Sequence, residues 1–192
     1  MLVDLKKDIY SEAGKVQIVE EVLLKHIASL EKDSTLAGET EEQDPTVYLW
    51  LHYFASQHFY FKREFEKSLQ YIEAAIEHTP TVVDLYVLKA KIYKRAGHTA
   101  KASSLYDEAR KLDLADRYLN ALSSRYKLRN DQTDEAEATM ALFSKDSGED
   151  KGLNVHDMQC MWYEVECGQA FTRKGLLRQA LKNFNYIERH FD

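Results

Sequence analysis

The stretch Tyr86-Val87-Leu88-Lys89-Ala90-Lys91-Ile92-Tyr93-Lys94-Arg95-Ala96-Gly97, continued by Ala102, Tyr106 and Ala109, decides the fold of this chain. Ala90, Ala102 and Ala109 are small enough to let two antiparallel helices approach. Tyr86, Tyr93 and Tyr106 fill the space beside them, and Gly97 marks the turn, where a left-handed backbone costs it little. The small positions recur. Ser56, Ala90 and Ser124 stand 34 residues apart, and so do Ser68, Ala102 and Ala136. A period of this length belongs to stacked helix pairs. One pair alone cannot bury its apolar face, so neighbours must stack, and the stack then offers an extended surface to other chains.

The pattern is that of a tetratricopeptide-like repeat. The expected fold is therefore all-α, a superhelical solenoid of antiparallel helix pairs. Working outward, residues 1–32 read as N-terminal helices. Leu2, Leu5 and Ile9 share one face, Gly14 interrupts, and Val16, Val19, Leu23, Ile27 and Leu30 follow at spacings of three and four. Residues 33–45 are polar and acidic, an exposed loop. Residues 46–192 hold four helix pairs, at about 46–80, 81–114, 115–144 and 156–192. In the third pair Asn130 and Asp131 take the turn place of Gly97, residue types that tolerate the same geometry. Gly168, Phe171, Gly175, Ala180 and Phe184 restore the pattern in the fourth. Ala136 to Ala180 is 44 residues, ten more than one period, which places an insertion within 145–154. Apolar residues still show at Ile187 and Phe191, so the chain is expected to be a section of a longer array, with Met1 not the native start.

Composition narrows the function. The net charge of −6 argues against a general nucleic-acid binder and against specific DNA recognition. Four acids crowd between Glu39 and Asp44, so the rest of the chain is closer to balance and a local basic patch remains open. Two prolines and seven glycines are too few for a turn-rich β fold. Cys160 and Cys167 are seven apart on one helical face, about 10 Å from each other, which excludes a bridge and points to small core residues. No signal peptide and no long apolar run is present, so a soluble, cytoplasmic setting without a membrane partner is expected.

The first helix of each pair lines the concave face, and its exposed side meets any partner. In the first pair that side carries Trp50, Tyr53, Gln57 and Tyr60. In the second it carries Asp84, Val87, Lys91, Lys94 and Arg95, and in the third Tyr118, Arg125, Leu128 and Arg129. Lys91, Lys94, Arg95, Arg125 and Arg129 thus make a basic centre in an acidic chain. Neighbouring cations repel by about 1 kcal/mol per pair at 4 Å even in water. The cluster is explained either by a polyanion or acidic partner or, more plainly, as a solvated lysine-rich face. Tyr86, Tyr93, Tyr106, Phe171 and Phe184 read as core; Trp50, Tyr53 and Trp162 are either core or partner anchors. No catalytic residue and no metal ligand set emerges. His52 and His58 are six apart, Ser103 and Ser104 lie within a helix, and Glu64 with Glu66 sits at a helix start. Phosphate-binding glycine loops are absent as well.

Five ordered segments carry a more specific likeness. They are Tyr71-Ile72-Glu73-Ala74-Ala75-Ile76-Glu77-His78-Thr79-Pro80-Thr81, Lys89-Ala90-Lys91-Ile92-Tyr93-Lys94, Leu112-Asp113 through Ala115-Asp116-Arg117-Tyr118, Met158-Gln159-Cys160-Met161-Trp162, and Ile187-Glu188-Arg189-His190-Phe191. In type, order and interval the chain resembles the auxiliary subunit of the N-terminal acetyltransferase NatA, from about Gly14 onward. The departures lie in the acidic loop before Pro45 and in Asn130 to Asn154. The resemblance implies an internal section of a long helical scaffold wrapped around a small catalytic acetyltransferase subunit, which moves acetyl from acetyl-CoA to nascent N-termini. It implies a non-catalytic role, in keeping with the absence here of the Arg/Gln-x-x-Gly-x-Gly/Ala loop. It further implies the ribosome as a partner, indirectly or through other regions. No cofactor of the chain's own is implied, beyond inositol hexakisphosphate as a structural ligand held by basic residues. The rival is a tetratricopeptide peptide-clamp adaptor of the chaperone type. That clamp wants asparagines on adjacent concave helices, whereas Gln57, Lys91 and Arg125 fill one such row and Tyr53, Val87 and Ala121 another.

Overall fold

A computed structural model describes residues 8–143, 155, 156 and 158–191. Its helices are α1 (Ala13–Asp33), α2 (Pro45–Lys62), α3 (Phe65–His78), α4 (Val83–Arg95), α5 (Thr99–Leu112), α6 (Arg117–Arg129), α7 (Thr133–Ala141), α8 (Met161–Arg173) and α9 (Leu177–Arg189). The all-α class is what the period predicted. Leu2 and Leu5 of the expected first helix, and the ten-residue insertion within 145–154, lie outside the described residues. Residues 8–10 are helical and the expected break follows them, but it falls at Ser11 and Glu12, so that Gly14 sits in the first turn of α1. The acidic loop closes on itself through a lone antiparallel bridge between Thr35 and Glu42 and a Gln43 N–H donated to the Ser34 carbonyl at 2.9 Å.

The same turn closes four helix pairs. Arg63, Gly97, Asp131 and Gly175 hold φ of 65°, 91°, 59° and 74°, spaced 34, 34 and 44 residues apart. The residue after each donates its N–H back to a carbonyl five positions earlier. These bonds are Glu64 to Phe59, His98 to Tyr93, Gln132 to Lys127 and Leu176 to Phe171, each at 2.9 Å. This is the helix-ending motif that satisfies otherwise orphaned carbonyls. Helix starts are fixed by side chains elsewhere. Asp44 accepts from the Thr46 N–H at 2.8 Å with Pro45 in the first helical position, and Asp116 accepts from the N–H groups of Tyr118 and Leu119.

The small residues do what the pattern required. Ser56, Ala90 and Ser124, and Ser68, Ala102 and Ala136, all have no exposed surface. Ser56 Oγ donates to the Ser68 carbonyl at 2.9 Å and Ser68 Oγ to the Ser56 carbonyl at 2.7 Å, tying α2 to α3 at the crossing. In the fourth pair Gly168 takes the small place, and a Cβ there would stand 2.5 Å from the Phe184 ring. Phe184 itself is not core as expected but partly exposed.

The chain divides into two compact units between Ile92 and Tyr93. In the first, Leu49, Ile72, Ala75, Leu85, Leu88 and Ile92 form one core, and Leu23 and Ile27 of α1 meet Ala55 of α2 in another. In the second, Leu128, Ala136, Val155, Tyr163, Cys167 and Ala170 form the core. Tyr106 and Tyr126 stack beside it with centroids 4.2 Å apart.

Candidate interaction surface

In the second unit α6 and α8 bring Arg125, Arg129, Trp162 and Glu166 together. Arg129 is bidentate on Glu166, its Nε at 2.9 and 3.1 Å from the two carboxylate oxygens and its Nη2 at 2.5 Å from Oε1. Those bonds hold the guanidinium pKa above its ordinary value. Arg125 lies over the Trp162 ring at 4.5 Å from its centroid, with Nε 3.9 Å from Glu166 Oε1. Lys94 and Arg129 flank the Tyr126 ring at 5.7 and 5.3 Å. So Lys94, Arg125 and Arg129 gather around Tyr126 and Glu166, and Arg95 is exposed nearby in sequence on α4. Lys91 is exposed and belongs to the first unit. The repulsion within the basic centre is thus met in part by the chain's own Glu166.

Two residues of the expected exposed rows are buried instead. Leu128 is wholly enclosed in the second core, and Val87 is buried on α4. Leu128 turns inward because α6 packs on both α7 and α8, which widens the stripe of that helix that must be apolar. Trp50 is half exposed and meets the half-buried Tyr53 edge-on at 5.7 Å. Trp162 serves as the platform under Arg125.

The remaining ionisable clusters are structural ties. Asp107 accepts from Lys127 Nζ at 2.9 Å, Ser123 Oγ at 3.0 Å and Arg110 Nε at 2.9 Å. Burial alone would raise its pKa, but hydrogen bonds from Lys111, Lys127 and Arg110 outweigh this and hold it well below the usual carboxylate range. Glu164, fully buried, meets His156 at 2.7 Å and His190 at 2.9 Å. His58 is enclosed between the Tyr10 hydroxyl at 2.8 Å and Glu20 at 3.1 Å, and Lys62 also reaches Glu20. Burial pushes the Tyr10 hydroxyl up to about 12. It pushes the Cys167 thiol to about 12 as well, and raises Cys160, leaving both cysteines as inert packing groups. No group of three or more metal-ligating side chains occurs among the described residues. Nor, among them, is any helix long and apolar enough to cross a membrane.

Glu166 and Lys127 are the residues that sequence reasoning missed, and a signal for them existed. Glu166 stands in the register of Phe54, Leu88 and Leu122, and Lys127 in that of Phe59, Tyr93 and Phe171. A charge in an otherwise apolar or aromatic row demands a buried partner.

The repeated hairpins, closed by the same left-handed turn, define a helical-repeat array. A family model for the auxiliary subunit of N-terminal acetyltransferase A matches residues 1–192. The auxiliary subunit NAA15 of the Arabidopsis thaliana N-terminal acetyltransferase A complex is 39% identical over 183 residues, covering 95% of this chain and 20% of its own length. Human N-alpha-acetyltransferase 16, described as a NatA auxiliary subunit, is 38% identical over 187 residues, covering 96% and 22%. A solved structure of Naa15/Naa10 bound to HypK-THB superposes with a TM-score of 0.80 at 33% identity, over 97% of this chain and 27% of that one. The chain belongs to the NatA auxiliary subunit family, and its fold is that family's tetratricopeptide-like helical solenoid. It spans about a fifth of the length of the curated relatives it matches.

Proposed function

We propose that this chain is a section of a non-catalytic scaffold that wraps and positions the catalytic subunit of an N-terminal acetyltransferase. The observation that carries the reading is the family match over the whole chain, with relatives described as auxiliary subunits. In the similar solved structure Naa15 is paired with Naa10. The architecture supports it physically, since stacked hairpins offer an extended surface better suited to holding a partner than to enclosing a reaction. The setting would be cytosolic, and ribosome anchoring would be indirect or through other regions. The test is co-purification with the full-length protein. Recovery of a small acetyltransferase whose activity on N-terminal peptides rises with the scaffold is expected; recovery of chaperones without it would reverse the reading.

A highly phosphorylated inositol remains a proposal of the same kind. Its fit to the second unit is partial: Lys94 and Arg125 face solvent at least in part, while Arg129 spends Nε and Nη2 on Glu166. Calorimetry with inositol hexakisphosphate on the Lys94→Glu/Arg125→Glu variant decides it. Binding lost in the variant supports the site, and unchanged affinity removes it.

A further inference from the structure

We propose that the outward face of α9 is a docking strip for an acidic helical segment of a partner protein, independently of the scaffold reading above. Arg178, Lys182 and Arg189 follow one another at four and seven residues. Those spacings put them on one helical face in a row about 16 Å long. All three are exposed, and none forms an ion pair among the described residues. Lys62, Lys127, Arg129 and Arg173, by contrast, each meet a carboxylate. Lys182 and Arg189 flank the Tyr186 ring at 5.8 and 5.9 Å. The row borders a shallow cleft of about 250 Å³ whose floor includes Leu181 and Asn185.

The repeat register identifies this face as one that stacking does not cover. Equivalent positions are Glu66, Gln70 and Glu77 on α3, and Ala100, Ser104 and Lys111 on α5, and every one of these is exposed. The residues that pack within the array occupy another register, that of Ile72 and Tyr106, both buried. A further helix pair of the same kind would therefore leave the row open to an occupant from outside the stack. Along the register the charge reverses, from the two glutamates of α3 to the three cations of α9. On α9 itself Glu188 is the one acid among the described residues, and it lies off the row. Lys182 also borders the cavity lined by Glu137, without an ion pair between them.

The matching ligand is a surface with carboxylates at the same intervals, which a helix bearing acids at i, i+4 and i+11 supplies. A long polyanion such as RNA is disfavoured because, running past the row, it meets the exposed Glu188 of α9 and the exposed Glu137 lining the cavity beside Lys182. A short acidic helix feels chiefly the local row, since charges beyond about 10 Å are screened at ordinary salt.

The experiment titrates the full-length protein into a fluorescein-labelled alanine-rich helical peptide with Glu at i, i+4 and i+11, beside a Gln-substituted peptide and an oligo-U RNA. The Glu peptide should bind, the Gln peptide should not, and Arg178→Gln/Lys182→Gln/Arg189→Gln should weaken binding about tenfold or more. The control Lys25→Gln/Arg63→Gln/Lys101→Gln makes the same change in net charge on other surfaces and should bind within about twofold of the wild type. Circular dichroism confirms that both variants are folded, and Lys182→Gln alone gives a milder second readout of the row. No binding of the Glu peptide, an equal loss in the control, or tighter binding of the RNA than of the Glu peptide would overturn the proposal. None of these readouts involves an acetyltransferase, so the outcome is separable from that of the scaffold test.

Discussion

At Gly97 the backbone turns left-handed with φ 91°, and nothing lies within 4 Å of where a Cβ would stand. The cost of a side chain there is therefore purely conformational. Gly97→Ala should lower stability by about 1 kcal/mol, the left-handed penalty less the entropy saved in the unfolded chain. Arg63 holds the same place in the first pair with φ 65°, so Arg63→Gly should raise stability by up to about 1 kcal/mol. Urea unfolding of both variants checks the pair of signs; a loss in Arg63→Gly would show that the arginine side chain contributes more than its backbone costs. Gly97, Asp131 and Gly175 were legible as turns because their residue types advertise a left-handed backbone. Arg63 does not, and only its place in the period reveals it.

Three helices meet at one carboxylate. Asp107 of α5 holds Lys127 and Ser123 of α6, and Lys127 in turn donates to Thr139 Oγ1 of α7 at 2.8 Å. With both charges largely enclosed, removing one leaves the other unpaired. Asp107→Asn should cost about 3 kcal/mol. The pH dependence has a definite sign. Because cationic neighbours depress the folded-state pKa of Asp107, its stabilisation is in full force above the ordinary aspartate value of about 3.9. It is lost as pH falls from there toward the folded value. Urea midpoints measured at successively lower pH should drop more steeply for the wild type than for Asp107→Asn; parallel curves would mean the pair carries no net stability. No residue type advertises this junction. Each partner looks like an ordinary surface charge until the register shows Lys127 standing where Phe59, Tyr93 and Phe171 stand. For Arg129 and Glu166 the difficulty was greater, since the ten extra residues between Asp131 and Gly175 shift the register that would have paired them.

Over the whole molecule, packing runs chiefly between helices adjacent in sequence, and the chain resolves into two compact units. That is why the fold was readable from one period: contacts between neighbouring helices need only local pattern, and every repeat restates it. The exposed rows were less readable, because exposure depends on how much of each helix its neighbours cover, and Val87 and Leu128 went inward. Nearest-neighbour packing also predicts how damage spreads. Ile72 is fully buried among Leu49, Ala75, Leu85, Leu88 and Ile92. Truncating it to alanine removes enclosed carbon atoms and should cost about 2–5 kcal/mol where those contacts lie. In an array whose stability is a sum of local and neighbour terms, that loss stays near its source. Hydrogen exchange followed by mass spectrometry on Ile72→Ala should show faster exchange in α2, α3 and the first turns of α4, with α8 and α9 within about twofold of the wild type. A uniform acceleration through α9 would mean that the chain opens as one cooperative block, and the additive picture would have to be abandoned.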